Sequence, residues 1–432
     1  MSCEHTCSIA RRAAALLLAG LVASTGSACN LDLNDPNFPT EEVVFANGEN
    51  LMAIGVGIQA EMAGLMGPQI FSTSLAADEM GAGSATFANF MAADRGDELD
   101  PAQYLSEAPW AGAYRVVKLA DDLLRSVPDA SLRAGTKSGL LAMAGMFKAM
   151  AFAHLATLFD QAPIDVGIDK PAPTFVSRDA VLDEVLALLA SARQELQTTP
   201  PSDEFRTSVQ APGFDLEVSI EALSARYALV AGDLNDALAA ALRVPASARS
   251  DFRHSANDRN AVGDVMYRSG NAFQLRARQE LRMGAESGDQ RATYWVSAAN
   301  ITGANAPLDD LAQYRADDAA FPLFLPDEMK LIRAEVLARQ NDLDGARDLI
   351  NQVRTQCPSG PVTEPMACLP AKTAAELPDQ AAVLAEILHQ RRYELFLQGL
   401  RFDDLRRFDA TRKYDFLPLP TSECDRNVNA PC

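Results

Sequence analysis

Residues 387–408 read ILHQRRYELFLQGLRFDDLRRF. Arg391, Arg392, Glu394, Arg401, Asp403, Asp404, Arg406 and Arg407 are set among Leu395, Phe396, Leu397, Leu400, Leu405 and Phe408. Charges this dense among large apolar side chains point to ion pairs that tie helices together at a covered surface. Arg391, Arg392, Glu394, Arg401, Asp404 and Arg407 are therefore expected to be structural, because breaking a covered pair leaves a charge unpaired at a cost of about 3–5 kcal/mol.

Helical periodicity spreads outward from this run. Residues 108–126, 138–160, 178–197, 218–243, 326–354 and 380–408 are expected to be helical, and extended candidates are few, such as Phe321 to Leu325. Two stretches repeat, ALSARYALVAGDLNDALAAA and KLIRAEVLARQNDLDGARDLI. Ala225, Asp233, Leu234, Ala237 and Val244 of the first match Ala334, Asp342, Leu343, Ala346 and Val353 of the second at one constant offset. Each unit is a helix, a short Asp-Leu turn and a helix. The paired alanines have the spacing that lets tetratricopeptide helices approach closely. A third pair is expected over 138–160 and 178–197, joined by the Pro-rich QAPIDVGIDKPAPTF. The expected fold class is all-α: tetratricopeptide-type helix pairs with irregular, loop-rich inserts and few short strands. The helix scaffold covers about 108–244 and 326–410, and the inserts about 60–107 and 245–325.

Enzymatic motifs are scarce. His154, His254 and His389 each stand alone, and no nucleophile elbow, P-loop or dinucleotide fingerprint occurs. No catalytic residue, metal ligand or cofactor is assigned. Carboxylates are plentiful, so a glycan hydrolase remains a third reading. Aromatic residues in the inserts are the better lead, since ring faces stack on sugars while polar groups bond the hydroxyls. The ligand candidates are Asp78, Phe87 and Phe90 in the first insert and Tyr294, Trp295 and Tyr314 in the second, with Tyr267 beside them. Trp295 is expected to be the most exposed platform. Trp110, on a periodic helix, is expected in the core.

The ends speak to location. Arg11 and Arg12 precede a short apolar stretch, Ala13 to Ala23, and small residues then lead to Cys29. This reads as an export signal over 1–28 with Cys29 as the lipidated first residue of the mature chain 29–432. Gly26-Ser27-Ala28 would also suit ordinary signal peptidase and a secreted product. Cys3 and Cys7 leave with the leader. Cys357, Cys368, Cys424 and Cys432 remain, and local pairs are the simplest of three connectivities. The absence of a C-x-x-C pair argues against zinc. After the leader, no segment is expected to cross a membrane, so membrane contact is through the lipid anchor only. A formal charge of −20 opposes nucleic acid as a partner.

The pattern R-R-x-E-L followed by G-x-R-x-x-D-L-x-R resembles the C-terminal signature of the SusD/RagB family. The resemblance runs through most of the mature chain: LDLNDPN and TEEVVFANGENLMAIGVG near the start, PWAGAYRVVKLADDLL, SGDQRATYW, PLFLPDEMKLIRAEVLARQNDLDGARDLINQVR, and the closing DFLPLPTSECDRN. Gln290 stands where the family has Pro, and Gln390 and Gln398 where it usually has Glu. The resemblance implies one SusD-like domain over 29–432. It implies a lipid-anchored, cell-surface outer-membrane protein that captures an oligosaccharide or peptide nutrient. The partner it implies is a SusC-like TonB-dependent transporter. An exported helical-repeat scaffold for another protein is the alternative.

The leader yields one prediction. The intact mass of the mature protein should place acylated Cys29 at its N-terminus, and Cys29→Ala should release the protein from membranes. A wild-type chain found soluble with an unmodified N-terminus would contradict the lipid anchor.

Overall fold

Two Asp-Leu turns start the second helices of the repeated units. Asp233 (φ −82°, ψ 82°) and Asp342 (φ −85°, ψ 79°) adopt nearly one conformation. Asp233 accepts a hydrogen bond from the Asp236 N–H at 3.2 Å, and Asp342 from the Gly345 N–H at 3.0 Å. Each thus satisfies a backbone donor that the first helical turn leaves without a partner. The computed structural model describes residues 45, 47–167, 169–264, 275–360 and 363–432, of which Asn47–Cys432 forms one compact unit. The leader 1–28, Cys29 and Tyr267 lie outside the described residues.

Ten helices carry the frame: α1 Gly48–Ala76, α2 Tyr104–Ser126, α3 Ala134–Leu158, α4 Arg178–Thr198, α5 Leu216–Ala231, α6 Leu234–Arg243, α7 Pro326–Arg339, α8 Leu343–Arg354, α9 Gln380–Glu394 and α10 Arg401–Arg407. Each of α1 to α8 packs on the next, and α9 packs on α7 and α8. The insert between α6 and α7 therefore loops out while the two helices pack together. Ala225, Ala237, Ala334 and Ala346 are fully buried, as expected for side chains that let paired helices come close. Burial likewise places Trp110 in the core, edge-on to Phe159 at 5.0 Å.

Three expectations need correction. Residues 60–76, expected to be irregular, form the second half of α1. That half is buried nearly all round, so no polar stripe betrays its helical period. Second, α1 and α3 are each long and apolar enough to cross a membrane. In α3, 89% of the most apolar window is buried inside the protein, which marks a core helix. Third, the inserts contain a sheet that their sequence did not announce.

The strands are β1 Met80–Ala82, β2 Gln161–Ala162, β3 Val176–Ser177, β4 Ser250–Phe252, β5 Leu275–Arg278, β6 Val296–Ile301, β7 Leu308–Leu311 and β8 Phe321–Phe324. The last overlaps the expected extended segment. The antiparallel order β1-β5-β7-β6 joins the two inserts, with Met80 opposite Ala277 and Ala277 opposite Asp309. Its strands are too short for clear alternation. Part of their cohesion comes from charge: Arg276 on β5 reaches Asp310 on β7 at 3.2 Å.

The terminal signature forms a buried charge chain. Arg407 donates to both oxygens of Glu335 at 2.7 and 2.9 Å and to Asp404 at 2.8 Å. Arg391 donates to the other Asp404 oxygen at 2.8 Å, and Arg339 donates to Glu335 at 2.9 Å. Burial alone would raise both carboxyls. The Arg391 and Arg407 guanidiniums outweigh it at Asp404, whose pKa falls to about 2, and Arg407 holds Glu335 below the usual range. Arg226 ties α5 to α7 through two 2.6 Å bonds to Glu328.

Glu394 is less simply paired. Arg291 lies 2.7 Å from Asp289 and 3.4 Å from Glu394. Burial and nearby Asp327 push the Glu394 carboxyl well up, and Glu394 is the more distant, weaker contact. Arg392 and Arg401 depart from expectation more clearly, because neither forms an ion pair among the described residues. Arg401 donates to the Leu388 carbonyl at 3.3 Å, and the Arg392 guanidinium lies over the Tyr393 ring. The Gln398 amide donates to the Tyr314 hydroxyl at 3.1 Å, an interaction a carboxylate could make only by accepting instead. Disulfides join Cys357 to Cys368 and Cys424 to Cys432, with Cα atoms 4.4 and 5.9 Å apart.

Asp404→Ala should destabilise the fold by about 3–5 kcal/mol, because two buried guanidiniums lose a partner. Gln197→Ala, at an exposed position in the last turn of α4, should change stability by less than about 0.5 kcal/mol. Urea midpoints check both. The sign follows from the depressed pKa: the Asp404 contribution is full above about pH 4 and is lost as pH falls toward 2.

Candidate functional site

The two inserts meet at an open groove of about 570 Å³, lined by Gly64, Pro68, Tyr104, Ala256, Asn257, Arg259, Ala261 and Asp264. Gly64 and Pro68 lie on α1 and Tyr104 begins α2. The remainder comes from the turn-rich run HSANDRN and the short helix Ala261–Gly263 that follows it. Close approach of that helix to α1 depends on Gly67, where a Cβ would stand 2.8 Å from the Ala261 Cβ. Asn260 caps the helix by accepting from the Gly263 N–H at 3.0 Å, and its amide donates to the Ala319 carbonyl at 2.8 Å. The loop is thus fastened to the second insert, while Asn257 and Arg259 stay exposed. Arg259 pairs with Asp264 at 3.3 Å.

An aromatic row leads up to the groove. Phe87 and Phe90 have ring centroids 6.0 Å apart, and Phe90 and Tyr104 are also 6.0 Å apart, both pairs edge to face. Phe87 is 52% exposed and Phe90 is buried. Tyr104 is half-buried, and burial pushes its hydroxyl pKa up to about 12, so it is a neutral donor at ordinary pH. The volume falls within the range of small-molecule sites, about 300–1,000 Å³. Ring edges, a neutral phenol, an amide, a guanidinium and a carboxylate are the groups that hold a polyhydroxylated ligand.

The structure disperses the expected ligand residues. Phe87 and Phe90 stand beside the groove. Asp78 has φ +56° and a half-exposed side chain, and it is engaged by Lys413 at 2.8 Å and Arg278 at 3.0 Å. Arg278 also pairs with fully buried Asp94, so this cluster fastens β1 to β5 and the helix Ala88–Arg95. Trp295 is a clear correction. It is 1% exposed, and its indole N–H donates to the Tyr393 carbonyl at 2.7 Å. Its ring meets Tyr314 and Phe396, both at 5.9 Å, and Tyr314 meets Phe321 at 4.9 Å. Tyr314, also buried, belongs to the same aromatic core. Half-buried Tyr294 bonds the Thr363 carbonyl at 3.2 Å and packs on Trp295 rather than on the groove. The missed residues are Tyr104, Asn257, Arg259 and Asp264. Only the density of Asn, Asp and Ser over 254–260 hinted at them.

His154 is structural. Burial lowers the His154 pKa to about 3, with Arg226 adding to the effect, so His154 is neutral inside the fold. Among the described residues no group of His, Cys, Asp or Glu is arranged to hold a metal ion.

Residues 289–429 match the sequence model of the SusD family. Solved structures share the fold along nearly the whole chain. A SusD superfamily protein from Bacteroides fragilis is 14% identical, with a TM-score of 0.70 over 90% of this chain and 100% of that one. One from Bacteroides thetaiotaomicron is 14% identical, with a TM-score of 0.70 over 89% and 98%. A SusD-like carbohydrate binding protein from Bacteroides vulgatus is 16% identical, with a TM-score of 0.67 over 85% and 84%. No curated protein matches the sequence.

Trp295→Ala should cost about 3–5 kcal/mol of stability, the range for truncating a buried aromatic residue. A thermal melt unchanged from wild type would return the ring to the list of ligand platforms.

Proposed function

We propose that this chain, which belongs to the SusD/RagB family through residues 289–429 and has a SusD-like fold, is a glycan-binding protein that captures an oligosaccharide in the groove between its inserts. One observation carries the reading: segments far apart in sequence, one on α1 and α2 and the other at 256–264, converge on one polar, aromatic-flanked groove. The carbohydrate binding stated for the Bacteroides vulgatus protein supports the same chemistry here. Its ligand would lie with a sugar face against Tyr104 and its hydroxyls toward Asn257, Arg259 and Asp264. The role is binding, not catalysis.

The mature protein, a single SusD-like domain from residue 29, is anchored by lipid at Cys29 to the outer membrane and faces outward. It hands its ligand to a SusC-like TonB-dependent barrel. Confinement to the same membrane raises the effective concentration of the two partners. The family resemblance and the leader support this part of the reading.

A panel of malto-, xylo- and manno-oligosaccharides with N-glycan fragments, titrated calorimetrically into the mature chain, tests the proposal. At least one class should bind, and Tyr104→Ala and Asn257→Ala should each weaken it roughly tenfold, about 1.4 kcal/mol, with melting curves checked alongside. Binding of peptides alone, or sugar binding indifferent to both substitutions in folded protein, would overturn it.

A further inference from the structure

A second cavity, of about 150 Å³, lies under the terminal signature and away from the groove. Ala77, Asp78, Glu79, Leu281, Arg392, Phe396, Arg401, Leu405 and Thr411 line it. We propose that Glu79, Arg392 and Arg401 form a binding site for a small oxyanion, a sulfate or a carboxylate group.

Glu79, Arg392 and Arg401 form no ion pair among the described residues, and all three line this cavity. The other arginines of the signature are committed: Arg391 to Asp404, Arg406 to Asp403, and Arg407 to Glu335 and Asp404. Arg392 and Arg401 reach no carboxylate within ion-pair distance among the described residues, and both line this cavity. Glu79 is 5% exposed. Its Oε1 accepts from the Leu397 N–H at 3.2 Å, and its buried Oε2 has no hydrogen-bond partner among the described residues. A buried polar oxygen left unmatched is costly, because it gave up its water on burial. With a proton on Oε2, a ligand oxygen at hydrogen-bond distance accepts from it and removes that cost.

The backbone is bent to build the place. Asp78 has φ +56°, Leu397 φ +57° and Gly399 φ +73°. The left-handed turn at Leu397 accompanies the N–H that meets Glu79. Non-glycine residues in that region hold conformational energy that the surrounding structure must offset, a feature that clusters at ligand sites.

Charge selects the ligand. Asp78, on the Glu79 segment, is held by Lys413 and by Arg278 of β5. From α10, Arg401 and Asp404 act on Glu79, and from α9, Arg392 does. Asp404 is matched by Arg391 and Arg407, and the helix Gln279–Met283 contributes only apolar Leu281. Two guanidiniums therefore face the space with two carboxyls; Asp78 is matched by Lys413 and Arg278, and Glu79 is raised by burial to a pKa of about 7. Protonated, it is a hydrogen-bond donor like the two arginines, and all three suit an oxyanion. An added anion raises the Glu79 pKa further, so binding takes up a proton and weakens as pH rises through neutrality.

Calorimetric titration of the mature chain with sodium sulfate and with sodium glucuronate tests this. Both anions keep their charge between pH 6 and 8, so a change in affinity over that range reports the protein. Sulfate should bind with Kd near or below about 1 mM at pH 6 and severalfold more weakly at pH 8. Glu79→Gln should abolish the pH dependence. Arg392→Gln, at a half-buried residue with no ion pair among the described residues, should weaken binding roughly tenfold with an unchanged melting temperature. Binding of both anions would assign the site to the acidic group of a larger ligand, and binding of sulfate alone to a free ion; either supports it. No binding at about 10 mM of either anion, or wild-type affinity in folded Arg392→Gln, would overturn the proposal.

Discussion

The Arg407 guanidinium, shared between the buried carboxylates of Glu335 and Asp404, is the contact on which the rest of the structure depends. It joins α7 to α10, and Arg391 extends the link to α9. The same region reaches back to the N-terminal half. Asp403 accepts from Thr157 on α3 at 2.6 Å and from Arg178 on α4 at 3.1 Å. Removing two charges from water is costly, and their mutual attraction offsets that cost only when geometry and hydrogen bonds are nearly complete. Here each carboxylate oxygen of Glu335 and Asp404 has a guanidinium donor. The helix pairs are thereby held in one register, and the inserts they carry are placed reproducibly.

That arrangement separates two jobs. The helices supply packing: Ala225, Ala237, Ala334 and Ala346 allow close contact, and Asp233 and Asp342 start their helices cleanly. The inserts supply surface. Their sheet is short and partly held by Arg–Asp pairs, so it closes the inserts without a large core of its own. Loops fixed on a rigid scaffold are where binding groups concentrate, and the 256–264 loop fits that pattern through Asn260 and Gly67.

Much of the frame was legible in the sequence because its signals are local. The alanine spacing and the Asp-Leu turns each reflect a contact within one helix pair, and the terminal charges stand out by their density alone, although their partners are spread over α7, α9 and α10. The candidate site was far less legible. Trp295, Tyr314 and Phe90 have the composition of sugar platforms, but exposure of a ring is decided by what folds over it. Here Tyr393 and Phe396, remote in sequence, cover Trp295, and Phe321 from the next strand packs on Tyr314. Conversely, Tyr104 gave no signal, because its place beside the 256–264 loop arises only when α1 and α2 pack. Arg392 and Arg401 looked like their neighbours in the charged run, and only their geometry shows that they face a cavity. The second half of α1 was hidden for the opposite reason: burial nearly all round erases the polar face that marks a helix.

The central claim is that the helix pairs are a fixed frame and that ligand is felt by the inserts. Amide hydrogen exchange, with and without whichever oligosaccharide of the panel binds, tests it most directly. In the free protein, 331–338 and 387–407 should exchange slowest, since their amides open only with the buried charge chain. Added ligand should slow exchange in 60–68, 84–107 and 253–264 and leave 387–407 unchanged. Protection centred on 387–407, with none in the inserts, would contradict the account.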